Sequence, residues 1–105
     1  MAQIKVIQHN VRKWSTNKHS LCQVYQNENP EIILINSHGA MNSETIKIYN
    51  YNIHQINTTN EIHNGVAIAV RRDHRYKLIE NFEFDMLGVT LETSLGPIQI
   101  VTSYI

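Results

Sequence analysis

Residues 31–37 read EIILINS, with four apolar side chains in succession and no polar residue between them. A run this short and this continuous is the pattern of a strand covered on both faces, not of a strand with one wet side. It demands a layer above and a layer below, and what precedes it supplies one of them. IKVIQHN (4–10) alternates imperfectly and ends in polar residues. VRKWSTNKHSLCQVYQNENP then changes character. Ser15 or Thr16 offers an N-cap, and Leu21, Val24, Tyr25 and Cys22 fall on one face at helical spacing. The stretch Asn27 to Pro30 ends the helix, because Pro30 pushes Asn29 out of the helical region. Strand, helix and strand within about thirty residues make a βαβ unit, whose two strands are expected to be parallel neighbours.

After Gly39 the pattern becomes antiparallel. YNYNIHQINTT reads as a polar edge strand and GVAIAVRR as a central one that starts at Asn64-Gly65. YKLIENF, MLGVTLETS and GPIQIVTSY follow, the last two joined by the tight turn Ser94-Leu95-Gly96-Pro97. No repeat, low-complexity tract or linker divides the chain, so residues 1–105 are read as one unit of α/β type.

Composition narrows the partners. Of 105 residues 42% are hydrophobic and 17% charged, as in globular chains, and the formal net charge is +0. No overall basic field draws nucleic acid or anionic membrane, so any DNA contact must be local. A lone Cys22 excludes an internal disulfide and a cysteine-based zinc site, which points to a reducing, nuclear or cytoplasmic setting. No apolar run approaches the ~20 residues of a membrane span.

The polar residues that could carry chemistry stand at strand ends: Asn10 after the first strand, Asn36-Ser37-His38 after the second, and Tyr104 on the last. Ligands gather at the carboxyl ends of neighbouring strands in α/β sheets. Asn, Ser and His also end strands without any function, through bonds to nearby backbone. None of the six histidines has a partner at metal-ligand spacing. The segment RRDHRYK is the one basic cluster, and Arg71, Arg72, Arg75 and Lys77 there suit either phosphate contact or a solvated turn.

Taken together, the first strand ending in Asn10, PEIILIN after the helix, NGVAIAVRRD and GPIQIVTSY, in this order and spacing, resemble the first half of the endonuclease domain of LINE-type non-LTR retrotransposons. That domain belongs to the endonuclease/exonuclease/phosphatase superfamily, with the apurinic-type and DNase I-like enzymes. The resemblance implies the first half of a four-layer αββα sandwich, with one mixed sheet and a covering helix. It also implies a Mg²⁺-dependent activity that nicks DNA by phosphodiester hydrolysis. Asn10 matches the asparagine that supports the metal and phosphate centre, and Tyr104 the active-site tyrosine. Ser37 stands where the family has its metal-binding glutamate, and a hydroxyl is a poor replacement for a carboxylate on Mg²⁺. The Asp/Asn and Asp-His pairs of the second half have no counterpart in this sequence.

Two expectations follow. The chain is either the amino-terminal part of such an endonuclease, inactive by itself, or a non-catalytic binding or assembly module. In this single mixed sheet Val66, Ile68 and Val70 are expected to share an open apolar face with Leu87, Val89 and Leu91, so that the chain dimerises or aggregates. The missing half or a second copy of the chain would then cover that face.

Overall fold

The computed structural model of the protein describes residues 4–39, 45–56, 65–79 and 86–103. The βαβ unit comes first: β1 (Val6–Asn10), α1 (Trp14–Glu28) and β2 (Ile32–Asn36). β1 and β2 are parallel, with Val6 opposite Ile32 and Asn10 opposite Asn36. β3 (Tyr51–Ile56) and β4 (Val66–Arg71) add antiparallel to give a four-stranded sheet in the order β1-β2-β4-β3. β5 (Tyr76–Leu78), β6 (Met86–Thr93) and β7 (Gly96–Ser103) form a separate antiparallel meander.

The continuous apolar run of β2 has two cores to serve. Ile33 and Ile35 join Ala67 and Ala69 of β4, Tyr51 of β3, and Trp14 and Tyr25 of α1 on one face. Ile32 and Leu34 join Ile68 and Val70 of β4 on the other, against Val89 and Leu91 of β6. The order is therefore helix, four-stranded sheet, three-stranded sheet: three layers of an αββα sandwich.

This arrangement corrects the expectation of an open face. Ile68 and Val70 face Val89 and Leu91 across the two layers instead of sharing one sheet with them, and these four, with Val66, are fully buried. The chain turns back after β4 and lays its own meander over the face. A partner is not needed there.

Helix α1 starts at Trp14, one residue before the expected caps, and Lys13 at the N-cap makes no side-chain cap. The Trp14 N–H is held instead by the His38 carbonyl at 2.7 Å, a tertiary partner for an otherwise orphan donor. At the other end Asn29 adopts the left-handed conformation (φ 50°) and its N–H returns to Tyr25 O at 2.8 Å. Val24 is 40% exposed, so the buried stripe is Trp14, Leu21, Cys22 and Tyr25. The β6–β7 hairpin closes on Ser94-Leu95, and Thr93 Oγ1 donates to Gly96 O at 2.7 Å.

Candidate functional site

Parallel pairing of β1 and β2 brings their carboxyl ends together, so Asn10 and Asn36 are register partners at one end of the sandwich. Alternation puts Gln8 and Asn10 of β1, like Asn36 of β2, on the face toward the second sheet. Gln8 Nε2 donates to Asn36 Oδ1 at 3.2 Å, and Asn36 Nδ2 donates to Thr102 Oγ1 at 3.4 Å. The second bond crosses from one sheet to the other and places the end of β7 beside the end of β2. Asn10 itself is exposed. Tyr104, two positions beyond Thr102, lies outside the described residues.

Ser37 follows directly, in the left-handed region (φ 57°) and buried. The strained backbone turns the chain sharply off the strand, and His38 then sinks into the protein with 1% exposure. His38 is a structural clamp. Its N–H donates to Gly65 O at 3.3 Å, its ring Nε2 donates to Ile56 O at 3.0 Å, and its carbonyl receives Trp14 N–H. It thereby ties the end of β2 to the end of β3 and to the starts of α1 and β4. Sequence reading placed His38 among strand-end candidates but gave no sign of this role. The nearest signal was Asn64-Gly65, which reads only as a turn.

The strand-end groups are thus carboxamides and hydroxyls: Gln8, Asn10, Asn36, Ser37 and Thr102. Their N–H and O–H groups can donate to phosphate oxygens, but none can act as a general base near neutral pH. Among the described residues no three His, Cys, Asp or Glu side chains gather as a metal site. A Mg²⁺ ion calls for charged oxygen ligands, and these neutral groups do not fit it.

The basic cluster lies at the other end. β4 runs antiparallel to β2, so Arg71 sits beside Glu31 while Val66 pairs with Asn36, about 17 Å along the strands at the usual rise. Arg71 is engaged locally. Nε donates to Asp73 Oδ1 at 2.7 Å, Nη1 donates to Asn29 O at 2.8 Å, and Glu31 lies 3.7 Å away. The Arg71 hydrogen bond holds the Asp73 carboxyl below its ordinary range. Arg72, Arg75 and Lys77 are exposed on the turn and the short strand that follow.

A second polar link joins the layers on the far side. His54 Nε2 of β3 is 2.7 Å from the Tyr76 hydroxyl of β5, and burial pushes the His54 pKa down and that of Tyr76 up.

No family model matches the sequence, and no curated protein matches it. Solved structures match the fold. The endonuclease domain of TRAS1, a telomere-specific non-LTR retrotransposon, superposes with a TM-score of 0.77 at 18% identity, over 97% of this chain and 46% of that one. The AP endonuclease LMAP from Leishmania major superposes with a TM-score of 0.73 at 14% identity, over 97% of this chain and 40% of that one. Both are DNase I-like, and so is the fold of this chain, which spans less than half the length of either structure.

Proposed function

We propose that this chain, with its half of a DNase I-like fold, is the amino-terminal part of a retrotransposon-type endonuclease domain that nicks DNA in the nucleus. The observation that carries this reading is the convergence of Asn10, Asn36 and Thr102, from both sheets, at one end of the sandwich. The matching structures support it at the level of fold.

In this reading the chain binds and orients, and does not cleave alone. The Asn10 carboxamide, exposed at the strand end, and the Tyr104 hydroxyl hydrogen-bond phosphate oxygens of the strand to be cut. Asn36 holds the floor of the site, fixed from both sides by Gln8 and Thr102. Ser37 gives the chain its turn but no charge. The groups that activate water are the Asp/Asn and Asp-His pairs of the other half of the domain, and Ser37 leaves the metal-carboxylate position of this half without a charged oxygen. Arg72, Arg75 and Lys77 form a second phosphate contact, on a turn that Arg71 holds in shape through Asp73.

A second reading is a non-catalytic module, favoured by the absence of a carboxylate among the described strand-end groups. Titrating the labelled chain with a short DNA duplex, followed by amide shifts, separates the two. The endonuclease reading expects the largest shifts at Asn10, Asn36–His38 and Thr102. Shifts absent from these residues at saturating duplex would overturn it.

A further inference from the structure

We infer that a second copy of this chain docks on the stepped side of the sandwich, adding its β7 to the edge of β1 and its β1 to the edge of β7. The first observation is that both layers are open on the same side. Among the described residues β1 pairs only with β2, and β7 only with β6. His54 of β3 meets Tyr76 of β5, and Asn36 of β2 meets Thr102 of β7, so β5-β6-β7 lies across β3-β4-β2 and leaves β1 beyond the overlap.

The second observation is that β1 lacks cover from the meander. Its burial alternates: Ile7 and His9, toward the helix, are half-buried, whereas Val6, Gln8 and Asn10, toward the second layer, are exposed. Val6 is 44% exposed, and Ile98, on the inner face of β7, is 40% exposed. An overhanging strand with a bare inner face lies beside a recessed edge that also shows an apolar side chain. Unpaired edges of this kind are ready templates for strand addition.

The step is self-complementary. β1 and β7 both run toward the Asn36 end, so a two-fold axis along the strands and between the layers sets each β1 beside the other copy's β7, in parallel. The four strands of one copy then continue into the three of the other in each layer. Val6 of both copies becomes buried, and the two Asn10 ends meet at the same end of the assembly. Pro97, which has no N–H, lies at the turn end of β7 and leaves Ile98 to Ser103 to pair. The test reads association, not DNA cleavage, so its failure is distinguishable from failure of the endonuclease reading.

Sedimentation velocity over a micromolar concentration series should show a species of twice the 12.2 kDa chain mass. Val6→Lys and Ile98→Lys should each shift it to monomer. Leu78→Lys, which is at similar exposure (42%) on the opposite edge of the meander, should leave it dimeric. Amides of β1 and β7 in the unsubstituted chain should exchange more slowly as concentration rises, a readout that survives if a lysine variant fails to fold. A wild-type monomer throughout, or a dimer that persists in both seam variants, would overturn the inference.

Discussion

The His38 ring occupies the space where a side chain on Gly65 would begin. A Cβ at Gly65 would lie 2.5 Å from His38 Cε1 and 2.7 Å from Nε2, and Gly65 has a φ of +109°, outside the reach of most residues with side chains. Glycine is required twice over, by conformation and by room. Gly65→Ala is expected to cost about 2 to 4 kcal/mol, from left-handed strain and overpacking together. Urea unfolding measures it. In a His38→Ala background the same substitution should cost less, because only the strain remains.

His54 makes the seam of the two layers sensitive to acid. Burial disfavours its imidazolium, so the folded protein binds this proton at lower pH than the unfolded chain does. The stability linked to His54 is complete above the ordinary histidine pKa of about 6.5 and is lost as pH falls below it. Thermal melts at pH 7.5 and pH 5 should show a larger drop for the wild type than for His54→Gln. Equal drops would mean that the seam does not sense the proton.

Arg71 and Arg72 are neighbours with separate tasks. Arg71→Ala removes bonds to Asp73 and to the Asn29 carbonyl and leaves the largely buried Glu31 carboxylate without its cation, held only by the Lys5 backbone N–H. The exposed Asp73 contributes little of the resulting loss. The expected cost is about 1 to 2 kcal/mol by chemical denaturation. Arg72→Ala, on an exposed turn, should change stability by less than about 0.5 kcal/mol. It should instead weaken DNA binding and reduce its dependence on salt, as the loss of one phosphate contact does.

The part of this architecture legible in the sequence is the part fixed by local pattern. EIILINS announced a strand with two covered faces, Pro30 marked the helix end, and GVAIAVRR announced a central strand. The three-layer arrangement was not legible. Period-2 alternation says that Val89 and Leu91 share a face, but not whether that face joins Ile68 and Val70 within a sheet or meets them from across a gap. Only the non-local turn after β4 decides this. The start of α1 was hidden for a similar reason, because its first N–H is capped by His38 from the turn after β2 and no nearby serine does so. At the site, strand-end Asn10, Asn36 and Ser37 could be picked out by position, whereas the Asn36–Thr102 bond depends on how the sheets stack. Tyr104 lies outside the described residues.

The most direct test of the central claim is Mg²⁺-dependent relaxation of supercoiled plasmid by this chain alone, beside the same chain continued through the other half of such a domain. The account predicts no nicking above buffer for the chain alone and clear nicking for the continued form. In the continued form, Asn10→Ala should lower the rate by about 10²-fold, the size expected for a lost charge-stabilising contact. Nicking by the chain alone that disappears in Asn10→Ala would contradict the account, since it would show that this half, by itself or with a second copy, already forms a complete catalytic site.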